Sequence, residues 1–126
     1  MAEALSERFD QVRVIPCGPR PDKASTEDIP TVNRAAMTDL AFRGIRAVEV
    51  ELFDLEGDAF TRAWALEERF ASEGEIWHAV PAHQIRGGAT GSSVIQRQWT
   101  RGADIWNNLR WAICHSPDAP PDPRDL

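Results

Sequence analysis

The sequence predicts an α/β fold: a parallel sheet with helices on its flanks. Three observations carry this. Short runs rich in β-branched residues recur along the chain, several closed by proline. Segments with apolar residues at helical spacing lie between them. Glycine and proline punctuate the junctions. Strands alternating with helices build βα units, whose strands pair in parallel.

The elements follow in order. Ala2 to Phe9 has Ala4, Leu5 and Phe9 on one helical face. Val12 to Pro16 is the first strand, and a proline-rich loop runs from Gly18 to Pro30. Pro30 suits the first position of a helix, Val32, Ala36, Met37 and Leu40 form its core stripe, and Gly44 fits its end. Ile45 to Phe53 contains a second strand, in which Val48 and Val50 alternate with Glu49 and Glu51. Asp58 or Thr61 can cap a helix running to about Ser72, with Ala63, Leu66 and Phe70 inward and Gly74 as its stop. Ile76 to Val80 is a third strand stopped by Pro81. Arg86 to Ser93 is a Gly/Ser/Thr loop, Asp104 to Leu109 a short helix and Trp111 to Cys114 a last strand. Residues 1–117 form one domain; residues 118–126 are a proline-rich tail or connection.

Composition narrows the function classes. A chain of 126 residues suits one domain and can bury roughly two thirds of its unfolded surface. The net charge of −6 argues against nucleic acid or an anionic membrane as the main partner. No apolar run approaches the roughly 20 residues of a membrane span. Two cysteines, Cys17 and Cys114, without a Cys-x-x-Cys predict reduced thiols and a cytoplasmic protein.

Chemistry gathers at the predicted strand ends. In open α/β sheets, ligands bind just outside the carboxyl ends of the strands. Arg20 and Lys23 follow the first strand on backbone restrained by Pro19 and Pro21. They suit phosphate, or they are solvated cations of a proline-rich turn. His83, Arg86, Gly87 and Gly88 follow the third strand; His115 and Ser116 follow the last. Gly87 to Ser93 lacks the spacing and the lysine of a P-loop, so a flexible linker is the better reading. His78, inside a strand, reads as a packed histidine, and no metal-ligand spacing is present. Trp77 and Trp111 read as core. Trp99, among Gln96, Arg97, Gln98 and Arg101, either stacks on a flat ring or plugs a helix–sheet gap. Glu67 and Glu68 read as solvated.

Taken together, these segments resemble the middle of a nicotinate-mononucleotide adenylyltransferase, one of the His-x-Gly-His nucleotidyltransferases with a Rossmann-like sheet. Val12 to Lys23 resembles that family's strand and Pro-Pro-His-Lys loop, here Arg20-Pro21-Asp22-Lys23. Arg34-Ala35-Ala36-Met37 is similar to its Arg-x-x-Met helix. Ala59-Phe60-Thr61 resembles its Pro-Ser-Tyr-Thr helix start, and Ile76 to Ile85 its strand ending in Gly-x-Asp. Trp99 falls where the family has a tryptophan near the pyridine ring, and Trp111 to Pro117 resembles its last strand and Arg-Pro-Gly turn. The likeness spans nearly the whole chain. It departs at Pro81-Ala82-His83, which replaces Gly-x-Asp, at the loop histidine, at Trp64, which stands for a second threonine, and at Ser116-Pro117-Asp118.

The resemblance implies a Rossmann-like parallel sheet with flanking helices that lacks its first, central strand. That strand and the His-x-Gly-His loop would precede Met1, and the family's Ser-Ser/Thr-x-x-Arg helix start would follow Leu126. The expectation is therefore the central, mononucleotide-binding portion of an enzyme in NAD biosynthesis. The reaction implied is adenylyl transfer from ATP, used with Mg²⁺, to a pyridine mononucleotide, releasing pyrophosphate. Arg20 and Lys23 would hold phosphate; Thr61, His83 and Trp99 would shape the acceptor pocket; the catalytic histidines lie outside the chain. The alternative is a non-catalytic module that keeps a nucleotide pocket or offers its sheet edges to a partner, including a second copy of itself.

Overall fold

A computed structural model of the chain describes residues 2–18, 30–56 and 61–125. It is a mixed α/β structure with short, two-stranded parallel sheets flanked by helices. Contacts divide the chain into two compact units, Met1–Thr61 and Arg62–Leu126.

The first unit contains α1 (Ala2–Arg8), β1 (Val12–Val14), α2 (Thr31–Phe42) and β2 (Val48–Val50). β1 and β2 pair in parallel, Val12 opposite Val48 and Val14 opposite Val50. Valine's branched side chain favours this pleated backbone. Backbone bonds extend the ladder at each end, from Val12 N–H to the Ala47 carbonyl (2.8 Å) and from Glu51 N–H to the Val14 carbonyl (2.9 Å). Arg13 bridges Glu49 (3.2 Å) and Glu51. This ties the outward-facing side chains of the two strands together.

α2 departs from its expected orientation. Pro30 precedes the helix as its cap, and Gly44, at φ +83°, follows the last turn. The stripe expected to face the core is exposed instead: Val32 is 73%, Met37 59% and Leu40 67% accessible, and Ala36 is exposed as well. The helix packs on β2 and on the 3₁₀ turn Phe53–Glu56 with a face that includes Arg34, Ala35, Thr38 and Phe42, all half-buried. A sheet of two strands, spaced about 5 Å apart, is too narrow to cover the whole apolar surface of a helix about 10 Å across.

The second unit contains α3 (Ala63–Phe70), β3 (Trp77–Pro81), α4 (Val94–Gln98), α5 (Gly102–Asn108) and β4 (Arg110–Cys114). β3 and β4 pair in parallel, from Trp77 opposite Arg110 to Pro81 opposite Cys114. Pro81 thus closes the strand from within, as a terminal position that needs no donor. α3 is shorter than expected. It ends at Phe70 and runs on as a 3₁₀ turn, Ala71–Glu73, before Gly74.

Val80, Ile85, Ile95 and Ile105 form the core of this unit, with Trp64, Trp99, Trp106 and Trp111 packed around it. Alternation along the strands sets which side chains reach it. Val80, Trp111 and Ile113 meet the core, whereas Trp77, expected there, lies on the opposite face, 44% exposed. Its Nε1 donates to Glu75 Oε1 at 2.7 Å. His78 takes the inward position instead.

α4 starts with a capping box. The Ser93 hydroxyl accepts from Gln96 N–H at 3.2 Å, and Gln96 Oε1 accepts from Ser93 N–H at 3.0 Å. α5 starts at Gly102, two residues earlier than expected, because only glycine fits: a Cβ there would meet the Ile95 carbonyl and stand 2.6 Å from that of Gln96.

Residues after β4 fold back. Asp125 accepts from Ala89 N–H at 3.2 Å, and the turn Pro123–Asp125 lies against Gly88–Thr90. Within it the Arg124 side chain, then its backbone N–H, bonds Asp122 and lowers that carboxyl from the ordinary 3.8 to about 2. Among the described residues no helix is long and apolar enough to cross a membrane.

Two outcomes test this fold. Ile95→Ala should lower the unfolding free energy by about 2–5 kcal/mol, and Leu40→Ser should change it by less than about 0.5 kcal/mol, in urea titrations followed by circular dichroism. By NMR, Asp122 should titrate near 2, and Arg124→Ala should return it to the ordinary carboxylate range. Because the folded value is the lower one, this contact stabilises above the ordinary range and is lost as pH falls toward 2.

Candidate functional site

The carboxyl ends of β1 and β2 meet at one buried carboxylate. Asp54, in the turn just after β2, is 4% exposed. Its Oδ2 accepts from Gly18 N–H at 2.6 Å. Its Oδ1 accepts from Thr61 N–H at 2.8 Å and from the Thr61 hydroxyl. A buried carboxylate is costly unless its oxygens are satisfied, and these three donors satisfy them. The segment after β1 and the segment after β2 are thereby held to the same side chain.

This explains the position of Thr61. Its hydroxyl does not cap the following helix as expected. Arg62 occupies that position, with no side-chain bond to the helix, and the Thr61 hydroxyl is given to Asp54. Arg20, Lys23 and Asp58 lie outside the described residues. Gly18, the last described residue before Arg20, is anchored by Asp54, and Cys17 receives Arg34 Nη2 at 3.8 Å.

The other candidate residues belong to the second unit. His83 stands on the 3₁₀ turn Ala82–Gln84, directly after β3, exposed, with its Nε2 3.3 Å from Gln84 Nε2. That turn packs against α4, whose final cap is Trp99. The Trp99 ring meets Trp111 edge-on at 5.9 Å between centroids and 72° between planes, and it is half-buried against the core. His115, after β4, is exposed, with Nδ1 2.8 Å from the Ser116 carbonyl.

Two expectations about neighbouring residues are corrected. Glu67 is not solvated: its Oε2 lies 2.7 Å from His78 Nε2, with the two side chains 27% and 12% exposed. Paired in this way, the histidine can occupy an inward strand position beside Trp111, at 5.6 Å between ring centroids. Gly87 to Ser93 is not a flexible linker but a built turn. The Gly87 carbonyl accepts from Thr90 N–H (3.1 Å), Ser92 N–H (3.0 Å) and both hydroxyls (3.1 Å each). Gln96 Nε2 donates to the Gly88 carbonyl at 3.3 Å, and Arg97 Nε to that of Ser92 at 2.8 Å. The carbonyls of Gly87, Gly88 and Ser92 are therefore engaged within the protein.

Trp64, absent from the predicted core face of its helix, carries the Arg101 guanidinium 5.2 Å above its ring. Its Nε1, the Trp111 Nε1 and the Gln84 Oε1 are buried without hydrogen-bond partners among the described residues. The residue that sequence reasoning missed is Asp54. Its only signal was an acid set between Leu52-Phe53 and Leu55, where both flanks are apolar.

An open groove of about 600 Å³ beside Phe9, Asp10, Arg46 and Ala47 lies where β1 and β2 begin, at the end of that strand pair opposite Asp54. Among the described residues no group of three or more His, Cys, Asp or Glu could hold a metal ion. Glu67→Ala should leave the His78 ring partnerless at an inward position and cost about 1–3 kcal/mol in thermal or urea unfolding, whereas Glu68→Ala should cost less than about 0.5 kcal/mol. Compared with known protein families and with curated proteins, the chain matches none.

Proposed function

We propose that the chain is the mononucleotide-binding part of a nucleotidyltransferase with a Rossmann-like sheet, acting in adenylyl transfer from ATP to a pyridine mononucleotide, nicotinate mononucleotide first. The observation that carries this reading is the topology. Two parallel strand pairs, each joined through helical crossovers, put His83 and the residues anchored by Asp54 just past the carboxyl ends of strands. That is where α/β sheets bind ligands. The ordered motif set of the sequence supports the specific acceptor.

In this reading Arg20 and Lys23 hold the acceptor phosphate as charge-assisted donors. The phosphate, already anionic, attacks the α-phosphorus of ATP, and pyrophosphate leaves. Such chemistry asks for positioning and charge neutralisation more than for a base. Thr61 is held in place by Asp54; His83 and Trp99, which the resemblance implies for the acceptor pocket, belong to the second unit. The described residues do not fit a protein-held Mg²⁺, since no acidic or His/Cys cluster is present among them. The metal is expected to arrive on the ATP phosphates.

A second reading, a non-catalytic interaction module, is favoured by one observation: the exposed apolar face of α2 at Val32, Met37 and Leu40.

Isothermal titration of the 126-residue chain with nicotinate mononucleotide tests the first reading. Saturable binding is expected, weakened by salt and weakened on the order of tenfold by Lys23→Ala. Absence of binding to every pyridine mononucleotide would sink it. Binding without pyrophosphate release from ATP and Mg²⁺ would favour the module.

A further inference from the structure

We propose that the turn Gly88–Thr90 and Trp106 form a seat for an acidic, proline-flanked peptide segment, which the chain's own residues 121–125 occupy as a detachable strap. The occupant displays the chemistry that the seat reads. The Asp125 carboxylate accepts from Ala89 N–H at 3.2 Å. The Asp125 backbone carbonyl lies over Gly88, where a Cβ would stand 2.5 Å from that oxygen and 2.6 Å from Trp106 Cη2. Gly88 is buried between the strap and the indole, and a peptide backbone reaches it only because it has no side chain. The receiving turn is braced from α4 by Gln96 and Arg97, which do not touch the strap, so it keeps its form when the strap leaves.

The strap is held lightly. Residues 115–120 are all exposed, and beyond them only Pro121 and Asp125 are half-buried among the described residues. Among the described residues one hydrogen bond, Ala89 to Asp125, ties residues 117–125 to the fold outside their own segment. The others are internal. Arg124 donates to the Asp122 carboxylate from its backbone at 3.0 Å and from its guanidinium at 2.6 Å, and Asp125 N–H donates to the Asp122 carbonyl at 3.0 Å. A segment that carries its own turn and rests on exposed contacts opens as a unit, at the low end of local stability. Tethered, it faces its seat at an effective concentration of about millimolar. A partner that presents an acidic turn between prolines must displace it, and the strap sets the threshold for that partner.

The test uses the full chain, NMR and a synthetic peptide with the sequence of residues 116–126. Asp125→Ala should shift the Ala89 amide and Trp106 indole signals and speed amide exchange at Ala89. Added peptide should return those signals saturably to their wild-type positions. The wild-type chain should need at least tenfold more peptide for half-saturation, because its own strap competes. A peptide carrying alanine in place of its Asp125 should bind at least tenfold more weakly. Gly88→Ala in the Asp125→Ala chain should abolish the return. Unchanged Ala89 exchange in Asp125→Ala, no saturable return, equal peptide affinity in the wild-type and Asp125→Ala chains, or persistence of binding in Gly88→Ala would each overturn the proposal. If Gly88→Ala does not fold, the alanine peptide decides the matter: affinity equal to that of the parent peptide overturns the proposal, and a tenfold loss upholds it.

Discussion

Parallel pairing is the constraint on which the rest of this structure depends. Two neighbouring parallel strands cannot be joined by a tight hairpin; the chain must travel back along the sheet before it can pair again. β1 and β2 are therefore separated by α2, and β3 and β4 by α4 and α5. The return trips carry the helices. They also leave the carboxyl ends of both strands of a pair at the same edge. Gly18 and Asp54 meet because of this.

The two units solve burial differently. The second gathers Val80, Ile85, Ile95 and Ile105 between its sheet and three helices, and four tryptophans extend that core. The first has three-residue strands and one twelve-residue helix. Among its described residues the buried side chains include Asp54 and Leu55. Directed polar contacts do more of the ordering there: Arg13 across the strands, Asp54 across the loops.

Much of this was legible in the sequence. Among the described residues every strand was visible in its β-branched run, because Val12, Val48, Val80 and Ile113 sit between clear punctuation. Four of the described helices were visible in their spacing; α4 (Val94–Gln98) was not, and no element was expected between Ser93 and Asp104. What spacing could not give was which face turns inward. In α2 the apolar stripe and the packed face differ, since a pair of strands offers too narrow a partner. In β3, Trp77 and His78 compete for one inward position, and Glu67 decides it by pairing with the histidine from another element. Asp54 was hidden for the same reason: its partners are 36 residues before it and 7 after it, and no local pattern announces contacts of that kind. The Gly87 turn was hidden because its order comes from Gln96 and Arg97, which lie beyond it.

The distribution of the indoles has a spectroscopic consequence. Trp64, Trp77, Trp99, Trp106 and Trp111 all belong to the second unit, so intrinsic fluorescence originates there. Four of these rings pack around one core, and the fifth stands on the open face of the sheet. An emission spectrum of this protein reports the state of Arg62–Leu126. Events at Gly18, Asp54 or the helix of Val32 have no emitter of their own, and an optical probe for them would have to be introduced into the first unit.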